Sequence, residues 1–143
     1  MRLETLIPPA PSRRVEGRLL CLNDPISFWG GVSPGDGSLS DPRCVQHGES
    51  IAGRVLVIRE LRGSSSASSV LLELIYRRRA PCALVLAAPD AILALGVLVA
   101  AEMAWDAPGI FRLPAQMQAS LPSGAPASLT PEGELEIRVG GGS

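Results

Sequence analysis

The sequence predicts an α/β domain in which a central β-α-β-α-β unit lies within a mixed β/β/α sheet. Three observations carry this. Short aliphatic runs alternate with two longer apolar stretches between residues 54 and 113, the order that gives parallel strands with crossover helices. Strand-like segments also lie outside that unit at both ends, so a plain doubly wound sheet does not account for the whole chain. Hydrophobic residues make up 46% of the composition and aromatic residues only 3%, so the core must be built from Leu, Val, Ile and Ala. At 143 residues one domain is expected over 1–143, long enough to hide roughly 70% of its unfolded surface.

Residues 8–14 (PPAPSRR) read as an irregular lead-in, and Val15–Leu22 as a strand. Residues 23–44 form a long segment dense in Gly, Pro, Asp and Ser, but Phe28-Trp29-Gly30-Gly31 lies inside it. An apolar pair beside two glycines predicts a loop ordered against something. Residues 54–59 (RVLVIR) form a β-branched strand, followed by Arg62-Gly63-Ser64-Ser65-Ser66 and a helical apolar face over Val70, Leu71, Leu72, Leu74 and Ile75. Serines at its start supply caps, and Arg77, Arg78 and Arg79 at its end complement the helix dipole. A buried strand follows at 83–87. Asp90 is the N-cap of an almost wholly apolar helix over 91–105 with Gly96 inside it. Such a helix is expected to be covered on most sides. Residues 109–113 form a third strand of the unit, 120–128 a flexible connector, and 134–139 a last alternating strand.

Charge and chemistry narrow the function. All 13 basic residues are arginine, against 14 acids. The missing lysine excludes P-loop, Schiff-base and lysine general-base chemistry. A net charge of −1 argues against a nucleic-acid partner. Three cysteines, Cys21, Cys44 and Cys82, without C-x-x-C spacing fit neither a disulfide framework nor a metal site, and read as buried thiols of a reducing cytoplasm. The N-terminus shows no apolar leader, and residues 91–101 are too few to span a bilayer. His47, the single histidine, reads as a loop residue. Asp24, Asp36 and Asp41 miss the calcium-loop pattern and read as turn formers. The arginines at 77–79 read as a solvated helix end or a partner contact.

The segment Arg62–Ser66 is the one place where chemistry gathers. It joins a strand to a helix N-terminus, whose free N–H groups favour an anion. Gly63 permits a tight turn. A guanidinium and three hydroxyls add donors, and an alkoxide would be stabilised there. A serine-rich helix cap without a ligand fits the same residues.

Beyond these readings, the ordered set Asp24-Pro25-Ile26-Ser27-Phe28-Trp29-Gly30-Gly31-Val32, Asp41, His47 to Leu56, Arg62-Gly63-Ser64-Ser65-Ser66, Val70-Leu71-Leu72-Glu73 and Ala80-Pro81 resembles the aconitase X swivel domain. The resemblance runs roughly from Glu16 to Glu102, within a matching core of about 16–113. It implies a swivelling β/β/α domain that closes over a larger subunit carrying an iron–sulfur cluster, in a cytoplasmic heterodimer. It further implies dehydration of a small anionic or hydroxy-acid substrate by β-elimination. Known activities of the family are cis-3-hydroxy-L-proline dehydratase, in bacteria, and phosphomevalonate dehydratase, in the archaeal mevalonate route. The lysine-free composition fits a GC-rich bacterial genome and favours the first. A catalytically silent swivel module is the alternative. A serine of a similar loop is the base in the wider superfamily, which carried over gives Ser64, with Ser65 and Ser66 next to it. Arg62, Gly63, Ser65 and Ser66 then bind substrate, and this chain itself holds no metal or cofactor. Four departures stand out: Leu61 and Ala67 where glycine is usual, Cys44 where histidine is usual, and Arg78-Arg79 in place of Gly-Thr. A branched side chain resists positive φ, so Leu61 predicts an altered turn before the loop.

Overall fold

The computed structural model describes residues 1–63 and 65–138. In chain order the elements are β1 (Glu4–Ile7), β2 (Val15–Leu22), α1 (Phe28–Gly31), β3 (Val55–Ile58), α2 (Ala67–Tyr76), β4 (Ala83–Leu86), α3 (Ala91–Glu102), β5 (Gly109–Arg112), α4 (Ala115–Gln118), β6 (Pro126–Leu129) and β7 (Leu135–Ile137). The strands form one seven-stranded sheet, ordered β1-β5-β4-β3-β2-β6-β7. Its centre, β2-β3-β4-β5, is parallel. The flanks are antiparallel, β1 on β5, β6 on β2 and β7 on β6.

The central strands read as near-continuous apolar runs because both their faces are buried. Leu56, Ile58, Leu84 and Leu86 face one core, shared with α2, α3 and the long segment after β2. Their neighbours Val55, Val57, Ala83 and Val85 face a second core with Phe111, Leu121, Leu129 and Leu135. The second core exists because the sheet curls back on itself. The Leu3 amide donates to Gly133 O at 2.8 Å, the Leu135 amide donates to Met1 O at 2.8 Å, and Arg2 pairs with Glu134 at 3.1 Å. The sheet's two ends therefore meet.

The β-α-β-α-β unit and the strand at 15–22 match the sequence reading, and the last strand, expected over 134–139, is β7 at Leu135–Ile137, with Val139 outside the described residues. Asp90 caps α3 through Oδ1, which accepts from the Leu93 amide at 2.9 Å. Gly96 brings α3 close to α2, since a Cβ there would lie 3.3 Å from Ser68 O. The segment 23–44 is ordered, with Phe28, Val32 and Leu39 sunk in the first core. Three differences stand out. β1 and the single turn α4 have no sequence signal of their own. The last residues of the expected connector 120–128 lie instead in β6. Ala127 and Leu129 are buried there and pair across to β2, a long-range contact that a short Pro-Ala-Ser-Leu run does not announce. Finally, α3 stops at Glu102 rather than continuing to 105.

Both long helices end in the same way. After α2 the Arg78 amide donates to Ile75 O at 3.1 Å and the Arg79 amide to Leu74 O at 2.8 Å. After α3 the Ala104 amide donates to Ala101 O and the Trp105 amide to Ala100 O, both at 3.0 Å. These are Schellman endings, whose turning residue is left-handed and usually glycine. Here Arg78 (φ 59°) and Ala104 (φ 61°) occupy it. The arginine standing in place of the family's usual glycine thus sits in a conformation that costs a side-chain-bearing residue about 1 kcal/mol. Arg78→Gly should raise unfolding stability by roughly 0.5–1 kcal/mol, part of the relief being offset by a freer unfolded chain. Urea denaturation followed by circular dichroism measures it.

Candidate functional site

Two parallel strands, β2 and β3, run out side by side and their continuations remain paired. The Ile26 amide donates to Glu60 O at 3.1 Å and the Arg62 amide to Ile26 O at 2.8 Å. Ile26 is buried and Leu61 half-buried against the first core, so the backbone up to Arg62 is anchored. Open sheets bind ligands at this carboxyl end of parallel strands. Leu61 lies in this extended pairing and its φ is outside the left-handed region.

Gly63 departs from expectation as well. Its φ lies outside the left-handed region, and a Cβ would meet nothing within 4 Å. Neither conformation nor crowding among the described residues calls for glycine, which leaves its backbone open to approach from outside. Ser64 lies outside the described residues. Ser65 is exposed, and Ser66 is the N-cap of α2. The serine capping read from the sequence is not realised through Ser66, whose side chain makes no cap bond. Its carbonyl accepts from the Ser69 and Val70 amides at 3.1 and 3.2 Å.

Arg62 is exposed between two adjoining clefts. The larger, about 410 Å³, is walled by Ser27, Trp29, Gly30, Ser40, Asp41 and Arg43. The smaller, about 190 Å³, adds Asp24 and Cys44. Gly30 (φ 83°) makes the bend that turns Trp29 outward while Phe28 is buried, and Gly30 O accepts from Ser40 Oγ at 3.2 Å. Asp41 is more than a turn former. Its Oδ1 accepts from the Arg43 amide at 2.9 Å and from Arg43 Nε at 3.1 Å, and its Oδ2 from Nη2 at 3.2 Å. These bonds, with the charge of Arg62 further off, hold its carboxyl below the usual aspartate range. Arg43 was not singled out from the sequence, because 19 positions separate it from Arg62 and only the folded loop brings them to one cleft.

The remaining candidates lie apart. His47 is exposed in a turn and lines neither cleft. Asp36 accepts from the Ser38 amide and hydroxyl, as a turn former does. Cys44, where histidine is usual, is a core thiol 3.8 Å from Gln46 Oε1. Burial pushes the Cys21 thiol up and the Cys82 thiol to about 11, which keeps both protonated at neutral pH. Among the described residues no group of three or more His, Cys, Asp or Glu could hold a metal ion, and no helix is long and apolar enough to cross a membrane.

One residue behind the site escaped sequence reading. Gln118 of α4 is buried, and its Nε2 donates to Ile58 O at 3.1 Å and Leu113 O at 2.9 Å. It ties the end of β3, four residues before Arg62, to the end of β5. No periodicity marks a buried glutamine in a single-turn helix.

A sheet curled around one core, backed by two helices on another, with an arginine–serine loop at its parallel end, defines a β/β/α swivel-type domain. The family model for the aconitase X swivel domain matches residues 9–137, and the chain belongs to that family. That match takes in β6 and β7, beyond the core recognised in the sequence. The chain is 48% identical over 87 residues, 61% of its length, to the cis-3-hydroxy-L-proline dehydratase of Pseudomonas aeruginosa, but spans only 15% of that relative. It is 34% identical over 123 residues to the phosphomevalonate dehydratase small subunit of Methanopyrus kandleri, which covers 86% of this chain and 87% of that one. Among solved structures it is similar to the crystal structure of Thermococcus kodakaraensis aconitase X in its holo form. There the TM-score is 0.79 at 26% identity, covering 97% of this chain and 99% of that one.

Two outcomes test the site geometry. Replacing Gln118 by Leu leaves the Ile58 and Leu113 carbonyls without that donor and should cost about 2–3 kcal/mol in denaturant unfolding. Asp41, with its folded pKa depressed, keeps its contact with Arg43 at neutral pH and loses it only as pH falls through the lowered folded value. NMR titration should place its carboxyl below that of a free aspartate, and Arg43→Gln should move it upward.

Proposed function

We propose that this chain is the small, swivelling subunit of a cytoplasmic aconitase X-type hydro-lyase, active as a heterodimer with a large subunit. The observation that carries the reading is the half-built site. Arg62, Gly63 and Ser65 stand exposed just before α2, where backbone N–H groups and the helix dipole favour an anion. The iron–sulfur cluster expected of the family does not fit this chain, whose three cysteines are dispersed and free. Its home in this reading is the large subunit, and the residues here account for substrate binding and proton abstraction only.

In the elimination, Arg62 takes the carboxylate, with the Gly63, Ser65 and Ser66 segment around it. Ser64 removes the proton from the carbon next to that carboxylate, the freed electron pair forms the new double bond, and the β-hydroxyl departs as water on the side left to the large subunit, where a Lewis acid would assist it. The positive end of α2 lowers the energy of its alkoxide, which a serine needs in order to act as a base. The substrate we favour is a hydroxyproline of the cis-3-hydroxy-L-proline type. The clefts at Arg62 set Arg43 and Arg62 against Asp24 and Asp41, a balance that suits a zwitterionic amino acid better than a phosphate dianion. Mevalonate 5-phosphate is the second reading, supported by the length match to the small subunit from Methanopyrus.

The chain, co-purified with its large subunit and reconstituted anaerobically, should dehydrate one of these two substrates. Ser64→Ala should lower kcat by about 10²–10⁴ without loss of the complex, and Arg62→Ala should act mainly through KM. A stable complex with no turnover of either substrate would favour a silent module, and full activity of Ser64→Ala would move the base to Ser65, Ser66 or the partner.

A further inference from the structure

Two acids line the clefts beside Arg62, and their hydrogen bonds set them apart. Asp41 commits both carboxylate oxygens to Arg43, with contacts at 2.9, 3.1 and 3.2 Å. Asp24 does not pair with an arginine among the described residues. It is half-buried at the exit of β2, and its Oδ2 accepts from the Val45 amide at 2.9 Å, across 21 positions of chain. That bond fixes the carboxyl against the returning limb of the loop and leaves Oδ1 without a partner among the described residues. The smaller cleft of about 190 Å³ therefore holds one internally paired set of charges, Asp41 with Arg43, one exposed cation, Arg62, and one open anion, Asp24. Pro25 and Cys44 complete it with apolar surface. Opposite charges over apolar walls match a compact zwitterion, a carboxylate and an ammonium carried on one saturated ring.

We infer that Asp24 is the specificity residue that recognises the substrate's ammonium, so that the site selects a cyclic α-amino acid over a ring acid without nitrogen. The inference rests on the hydroxyproline reading above. With the carboxylate on Arg62, the secondary ammonium of a hydroxyproline turns one N–H to Asp24 Oδ1 in a charge-assisted bond. A ring acid that lacks the nitrogen leaves this carboxylate desolvated and unpaired, which is how a site built for an N–H rejects the analogue without one. A ligand with a second anionic group sets like charge against Asp24, a repulsive element that sharpens the choice. Asp41 cannot take the same part without giving up Arg43. The tie to Val45 does not explain the charge either, because an amide donor needs only an acceptor, and a neutral asparagine supplies one.

The test is Asp24→Asn, which keeps the acceptor for Val45 and removes the charge, in the reconstituted complex with the large subunit. Calorimetry compares L-proline with cyclopentanecarboxylate, two ring acids that differ at the nitrogen. The wild-type complex should prefer L-proline by at least about 10-fold, and the variant should bring the two within about 3-fold by weakening L-proline alone. The KM for cis-3-hydroxy-L-proline should rise at least about 10-fold while kcat changes less. Equal weakening of both ring acids in the variant, the mark of a merely structural role, overturns the inference. So does loss of the preference in Asp41→Asn but not in Asp24→Asn. A wild-type complex that dehydrates cis-3-hydroxy-L-proline without preferring L-proline over cyclopentanecarboxylate sinks the inference and leaves the dehydratase reading standing. A complex that binds neither ring acid overturns the inference and the hydroxyproline reading together.

Discussion

Burial of the two central parallel strands, β3 and β4, on both faces is the constraint from which the rest of the architecture follows. β3 and β4 have no solvent face, so each needs two covers. The crossover helices α2 and α3 supply one. The other does not come from more helices, because the only helix after β5 among the described residues is the single turn α4. It comes from the sheet itself, which adds β1, β6 and β7 in antiparallel fashion and curls until residues 1–3 meet 133–135.

The same parallel centre creates the site. Because β2 and β3 end side by side, their continuations pair through Ile26 and Arg62, and the long segment from β2 folds back over the opening. Its buried Phe28, Val32 and Leu39 hold it down, which leaves Trp29, Asp41 and Arg43 around the arginine. Anchoring by apolar side chains and exposure of polar ones lie only a residue or two apart along this loop. A segment rich in Gly, Pro and Ser thus becomes a cleft wall.

Much of the fold was legible. The strand at 15–22, the strand β7 at Leu135–Ile137, the β-α-β-α-β core and the Asp90 cap follow from local apolar runs and capping chemistry. β1, β6 and α4 were not, because their stability comes from partners distant in sequence rather than from their own residues. The site shows the same division. Arg62 and the serines stood out through their place between a strand and a helix. Arg43 and Gln118 did not, since the first shares a cleft with Arg62 from 19 positions away and the second bonds strand-end carbonyls 60 and 5 positions distant.

The sequence by itself determined the aliphatic core, the absence of lysine chemistry, the central alternation of strands and helices, and the arginine–serine loop, all carried by residue type and short spacing. Only the tertiary structure decided that the sheet closes on itself, that Arg43 shares a cleft with Arg62, that open space surrounds Gly63, and that α3 keeps an apolar face uncovered. Each of those depends on which surfaces meet after the chain has collapsed, and burial across tens of residues leaves no local periodicity to read.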